Sequence, residues 1–483
     1  MKATDLEEVV LKKAKSFGLF TAQMKEETNG RGTPNAMKRS NIKDLAFNEG
    51  KAYFGFVGPE EEPKGVYYDL SFVVFPQQEG GKCVVSIGVG TAGYQRDYDL
   101  ASMPGTRRMF TRLAISDGNS FIKNDFTDID MDLQELIDKV SEEEELNPLR
   151  EVIRLYSKVL LASVIVDPDT DKGMGLLFAW LAQYAKLRNW GNKKEIKEQN
   201  KALEPFINNK CVDVQSEVSA LLKSRRFVVL QGAPGTGKTF NALKISEQYD
   251  EKFLIQFHAE TSYSDFVGGI RPRLNCDKLA YVYKEGVLLE AIEKAESLKN
   301  TNKRVLLIID EINRANLSNV LGPVFYLFED NSENRQVNLD IDGSSKLTRL
   351  PENLDVIATM NTADRSLAVV DFALRRRFAW YTIRPQKIKV GKNDNQTFHE
   401  ELFNSFCEIF DRYATDEELN LQPGPSYFLT QGTDDDANNR MKDKLIYELM
   451  PLIKEYLTAG LMRKAADRFA KLFYDNTGKY LYE

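Results

Sequence analysis

Eight consecutive residues constrain this chain more than any others. Gly232-Ala233-Pro234-Gly235-Thr236-Gly237-Lys238-Thr239 follows an apolar run, Phe227-Val228-Val229-Leu230, and precedes a helical pattern over residues 240–249. The spacing G-x-x-x-x-G-K-[ST] between a strand and a helix is that of a phosphate cradle. Its glycines let the backbone curl so that successive N–H groups point at phosphate oxygens, and the following helix N-terminus adds unsatisfied donors and a favourable dipole. In such a loop Lys238 reaches the β- and γ-phosphates and the Thr239 hydroxyl binds Mg²⁺. A chance match is the bland alternative, and the strand and helix on either side argue against it.

Further along, Val305-Leu306-Leu307-Ile308-Ile309 runs straight into Asp310-Glu311. A continuous apolar run suits a parallel strand covered on both faces. Carboxylates at its C-terminal end fall on the edge where such sheets bind ligands. Asp310 is then expected in the Mg²⁺ shell and Glu311 at the attacking water, as base or orienter. The competing reading is a pair that caps the next helix. Asn361, just past a strand candidate at residues 355–358, can reach between γ-phosphate and water, or simply form a turn. Leu374-Arg375-Arg376-Arg377-Phe378 ends a helix. Cations there complement the helix dipole in any case; the functional reading is an arginine finger that crosses to a neighbouring subunit.

Strand candidates at 226–230, 253–257, 305–309, 355–358 and 379–383 alternate with helices, which predicts an α/β P-loop module with a parallel sheet and helices on both faces. From Arg384-Pro385 the pattern is mainly helical, as in a lid. The first two hundred residues read as α+β. A helix over Leu6–Phe17 precedes strand-like runs at Tyr53–Val57, Val66–Phe75 and Cys83–Val89. From Met131 the pattern turns helical through Leu149 to Ile165 and again from Met174 to Leu187. The polar stretch 189–201 is a linker or an exposed helix. The expected division is residues 1–200, 202–386 and 387–483. In the first part Tyr94, Arg96, Tyr98, Arg107, Arg108 and Arg112 interleave aromatics with arginines, a mixture that suits nucleic-acid contact and suits ordinary packing at least as well.

The order of phosphate loop, Asp310-Glu311, Asn-bearing strand end, Arg-rich helix end and helical lid resembles an AAA+ ATPase. Met360-Asn361-Thr362-Ala363-Asp364-Arg365-Ser366 resembles the signature of the McrB group, motor subunits of modification-dependent restriction systems. Phe257-His258, Ser262–Phe266, Arg271-Pro272, Ile309–Asn316, Ser426-Tyr427-Phe428 and Met450–Tyr456 are similar to neighbouring segments of that group. The resemblance covers residues 202–457. It departs at Pro425, where the group has His. His258 reads as structural rather than as a ligand or base.

The resemblance implies a homo-hexameric ring that hydrolyses GTP in preference to ATP, with Mg²⁺. It implies a separate McrC-like nuclease subunit as partner, and double-stranded DNA, with a modified cytosine read by the N-terminal domain. By position it implies Asn361 as sensor, Asp364 and Arg365 as signature residues, Arg376 as the finger in trans, and Arg377 acting in its own subunit or at the interface. Two other readings stay open: an ATP-dependent AAA+ remodeller of a protein partner, and a nucleotide-gated defence sensor.

Composition removes other classes. Lys+Arg 65 against Asp+Glu 72 gives a net charge of -7, so bulk positive charge does not coat nucleic acid. The chain has 4 Cys, with no two close in sequence, and 2 His; a zinc site of local spacing, a disulfide framework and a His-based triad are all disfavoured. No recognisable nuclease core is present. The start lacks an apolar signal core and the longest apolar stretch, 176–185, is too short to span a bilayer. The expectation is a cytoplasmic protein without membrane contact.

Overall fold

The computed structural model describes residues 1–482 except 28–31, 63–64, 115–117, 208–211, 276–277, 329–336, 339–345, 348, 364–371, 392–394 and 433–434. The chain forms two compact units, Met1–Lys210 with Asp411–Thr415, and Cys211–Phe410 with Asp416–Glu483.

The first unit is built on six strands: β1 (Met37–Asn41), β2 (Tyr53–Val57), β3 (Leu70–Phe75), β4 (Cys83–Val89), β5 (Ser120–Ile122) and β6 (Leu160–Val166). They form one antiparallel sheet in the order β1-β2-β3-β4-β6-β5. The side-chain period of two divides β3 between two cores. Leu70, Phe72 and Val74 join the core that includes the helices Ala3–Ser16 and Asp171–Leu187. Val73 and Phe75 join the opposite core, with the helices Gln134–Glu142 and Arg150–Tyr156. Both faces are covered, so all six residues of β3 are buried.

The helical pattern expected through Ile165 is corrected here, because Leu160–Val166 is the strand β6, paired with β4 and β5. A run buried on both faces has no polar side, and periodicity does not separate it from a buried helix. The polar stretch near residue 190 is resolved as well. Lys193–Leu203 is a helix opened by a capping box of Asn192 and Glu195. Its buried Gln199 donates to the carbonyls of Phe17 and Trp190, which ties the helix into the first unit.

The aromatic and arginine stretch is largely used in packing. The Tyr94 hydroxyl donates to the Phe126 carbonyl and Arg107 to the Lys123 carbonyl. Within the same unit Arg108 donates to the carbonyls of Asp411 and Ala414, and Arg112 pairs with Asp411. Tyr98 stays exposed, and Arg96 pairs with Glu60 at the surface.

The second unit holds β7 (Phe227–Gly232), β8 (Glu251–Gln256), β9 (Gly268–Asn275), β10 (Lys278–Glu285), β11 (Val305–Asp310), β12 (Val337–Asn338), β13 (Lys346–Leu347), β14 (Leu354–Asn361), β15 (Ala379–Thr382), β16 (Gln396–Phe398) and β17 (Leu429–Gln431). Five of them form a fully parallel sheet in the order β15-β7-β14-β11-β8. In β11, Val305, Leu307 and Ile309 face one core while Leu306 and Ile308 face the other. That two-sided burial explains the unbroken apolar run. The antiparallel hairpin β9–β10 had no counterpart in the sequence reading. After Arg384 come the helices Glu400–Tyr413, Asp435–Lys444, Met450–Thr458 and Ala466–Thr477, the helical lid. No helix among the described residues is long and apolar enough to cross a membrane.

Candidate active site

Parallel strands bring all their C-terminal ends to one edge, and that edge assembles residues far apart in sequence. Gly232 at the end of β7 pairs in register with Asn361 at the end of β14, and β11 ends beside them at Asp310.

The phosphate loop leaves β7 at Gly232. Gly235 and Gly237 hold φ of 77° and 85°, values open to glycine at little cost, and Gly237 precedes the helix Lys238–Ser246. A Cβ on Gly232 would lie 2.5 Å from the Ile383 carbonyl oxygen. Lys238 is buried, and its Nζ donates to the carbonyls of Gly232 at 3.0 Å and Ala233 at 2.9 Å. The ammonium therefore lies inside the curl of the loop. Thr236 closes the loop through its hydroxyl on the Ala233 carbonyl.

Thr239 meets the acidic pair directly, its hydroxyl donating to Asp310 Oδ1 at 2.8 Å. A second hydroxyl, Thr359 on β14, donates to the same oxygen at 2.6 Å. Glu311 follows with φ 57° and ψ 47°, a left-handed conformation that costs a non-glycine residue about 1–3 kcal/mol. Its N–H donates to Thr359 Oγ1 at 3.0 Å. Its carboxylate lies 3.0 Å from Arg314 Nε as an ion pair, without the alignment of a hydrogen bond. The capping alternative is not what the side chains do. Asn316 caps the next helix, Leu317–Leu321, and Glu311 makes no capping bond to the short turn Ile312–Arg314.

Asn361 stands at the same edge. Its Oδ1 accepts from the Ala363 N–H at 3.2 Å, the turn contact its residue type favours, and the buried Asn313 donates to its carbonyl at 3.3 Å. Asp364 and Arg365 lie outside the described residues. Arg375 and Arg376 are both exposed, Arg375 lying over the Trp380 ring, while Arg377 is half-buried over the Phe325 ring. His258 is exposed, and its backbone closes a turn with Thr261.

Two contributors were not assigned from the sequence. Thr359 is one; its only signal is a hydroxyl residue two positions before Asn361, on the same strand face. The other is the lid segment Gly424–Tyr427. The N–H groups of Gly424 and Ser426 donate to the carbonyls of Pro234 and Gly235 at 2.9 and 3.2 Å. Pro425, at the position of the departure noted above, is buried and opens the turn Pro425–Phe428.

A five-stranded parallel sheet with a phosphate loop on its central edge, an acidic pair beside it and a helical lid is an AAA-type nucleotide-binding module. Residues 227–378 match the AAA domain, dynein-related subfamily. More particularly, the chain is similar to McrB: it is 33% identical over 285 residues to the type IV methyl-directed restriction enzyme EcoKMcrB subunit of Escherichia coli strain K12, covering 54% of this chain and 60% of that protein. It is 27% identical over 283 residues to the type II restriction enzyme BsuMI component YdiS of Bacillus subtilis strain 168, covering 48% of this chain and 80% of that protein. It is 28% identical over 192 residues to midasin of Dictyostelium discoideum, covering 39% of this chain and 3% of that protein. The match thus spans 60% of the length of the first relative, less than two thirds of it.

Proposed function

We propose that this chain is the ring-forming, nucleotide-hydrolysing motor of a restriction system, with GTP as its preferred substrate and ATP as the weaker one. In this reading residues 202–386 and the lid 387–483 form the motor. Residues 1–200 select double-stranded DNA, and a separate McrC-like nuclease subunit cuts modified or foreign DNA. The carrying observation is the convergence of Lys238, Thr239, Asp310, Glu311 and Asn361 on one sheet edge in a chain similar to McrB.

The roles follow from the chemistry of each group. The loop N–H groups from Gly232 to Thr239 bind phosphate oxygens, and the Lys238 ammonium exchanges its loop carbonyls for the β- and γ-phosphates. The paired Thr239 hydroxyl and Asp310 carboxylate are hard oxygen donors fit for Mg²⁺, which neutralises phosphate charge when bound. Glu311 orients water once its carboxylate leaves Arg314. Asn361 places its amide between water and γ-phosphate, with Asp364 and Arg365 completing the signature. Arg376, exposed near the end of its helix, reaches the site of the next subunit in a homo-hexamer. Arg377 holds the interface from within its own subunit.

In this reading base recognition, including that of a modified cytosine, falls to the first unit, where the Arg39 guanidinium lies 5.0 Å from the Tyr67 ring centre and offers a cation beside an aromatic face. The test is turnover of GTP and ATP, each with and without DNA, together with DNA binding by wild type and Tyr67→Ala. Robust ATP turnover with indifference to GTP and DNA would replace this reading with an ATP-dependent remodeller.

A further inference from the structure

Thr359 stands on β14 two residues before Asn361 and is buried. Its hydroxyl serves two neighbours at once, donating to Asp310 Oδ1 at 2.6 Å and accepting the Glu311 N–H at 3.0 Å. The same Asp310 oxygen accepts from Thr239 at 2.8 Å. One chain of hydrogen bonds therefore runs from the first turn of the loop helix, through the acidic residue at the end of β11, to the main chain of Glu311. A hydroxyl offers a donor and an acceptor on a single atom; valine has nearly the same shape and offers neither. The N–H that Thr359 accepts belongs to a residue in the left-handed region, so the bond restrains the one peptide whose rotation would swing the Glu311 side chain away.

We propose that Thr359 is a positioning residue for nucleotide hydrolysis. It orients the Asp310 carboxylate toward the cation and fixes the Glu311 backbone, and through these two contacts ties cation binding to the placement of the water-orienting carboxylate. The inference rests on the hydrolytic reading above.

The test compares wild type, Thr359→Val and Thr359→Ser for single-turnover hydrolysis, affinity for a fluorescent GTP analogue, and the Mg²⁺ concentration that gives half-maximal rate. Loss of a hydrogen bond to a charged group corresponds to about a ten- to hundredfold effect. Thr359→Val is expected to lower kcat by about that factor, to raise the Mg²⁺ requirement and to leave nucleotide affinity near wild type; Thr359→Ser is expected to restore most of the rate. In a Glu311→Gln background Thr359→Val should cost little more, since its main effect on rate acts through Glu311. Wild-type rate in Thr359→Val, failure of Thr359→Ser to rescue, or a full additional loss in the Glu311→Gln background overturns the inference. If melting shows Thr359→Val unfolded, Thr359→Ala supplies the same comparison, and unfolding of both assigns Thr359 a structural role instead. Absence of wild-type turnover above Lys238→Ala sinks the hydrolytic reading and this inference together. Wild-type turnover unchanged by Thr359→Val sinks this inference alone.

Discussion

Gly424 of the lid lies against Gly235 of the phosphate loop so closely that a Cβ on Gly424 would sit 2.1 Å from the Gly235 carbonyl carbon. The lid and the loop are main chain against main chain at this point, joined by the Gly424 N–H on the Pro234 carbonyl. Gly424 has φ -75° and ψ 171°, which any residue can adopt, so only the close approach demands glycine.

Gly424→Ala is therefore a steric probe of that contact. Forcing a methyl group between two stretches of backbone costs about 1–3 kcal/mol. The expected outcome is a loss of nucleotide affinity of about tenfold or more, read by titration with a fluorescent GTP analogue. Unchanged affinity in Gly424→Ala would show that the contact plays no part in binding.

Lys238→Ala and Glu311→Gln should fail in different ways. Lys238 lies inside the loop and its loss removes the charge that meets phosphate, so binding should drop. Glu311 touches Arg314 and not the loop, so Glu311→Gln should bind nucleotide as wild type does and hydrolyse it at least about a hundredfold more slowly. Equilibrium binding and phosphate release separate the two. Equal binding by both variants would contradict the assignment.

Arg376→Ala should cut turnover by about a thousandfold or more, the scale of an arginine finger, with binding retained. Mixing Arg376→Ala chains with Glu311→Gln chains checks the direction of the finger. If it acts across a boundary, mixed rings contain some sites with both groups intact, and activity returns on mixing two inactive samples. No recovery, in rings shown to exchange subunits, would place Arg376 within its own site.

The stability of the first unit should depend on pH through Asp69. Burial alone would push its carboxyl up, but Oδ1 accepts the N–H groups of Gln95, Arg96 and Asp97, with Arg188 nearby, and the net effect holds it below its ordinary value of 3.8. A carboxyl lowered in the folded state adds stability that is fully present above 3.8 and is lost as pH falls from there through the folded value. Melting of the wild-type unit should fall across that acid window. Asp69→Asn should be less stable at neutral pH and should flatten this part of the profile.

Much of the AAA-type module was legible in the sequence because its constraints are local. A cradle for phosphate needs glycines and a lysine within eight residues, and the structure gives Gly235 and Gly237 the positive φ values that the pattern implies. Strands buried on both faces are written as unbroken apolar runs, as β7 and β11 show; β8 and β15, at the two ends of the sheet, hold no buried residue and carry a weaker form of the signal. The same rule misled at Leu160–Val166. A strand and a helix that are both wholly buried look alike until their partners are known, and here the partners β4 and β5 lie well upstream in the sequence.

What the chain determined by itself is the inventory of chemistry: Lys, Thr, Asp, Glu, Asn and Arg in an order that handles phosphate, with too few His and Cys for other routes. What only the tertiary structure decided is which atoms share a proton donor or a boundary. Thr359 gained its place from the register of β14 against β11, which sets its hydroxyl between Asp310 and Glu311. Gly424 gained its place from the way the lid folds back, nearly two hundred residues downstream, onto the loop. Neither contact leaves a local pattern, because hydrogen bonds and close approaches between distant segments depend on packing distance rather than on spacing along the chain.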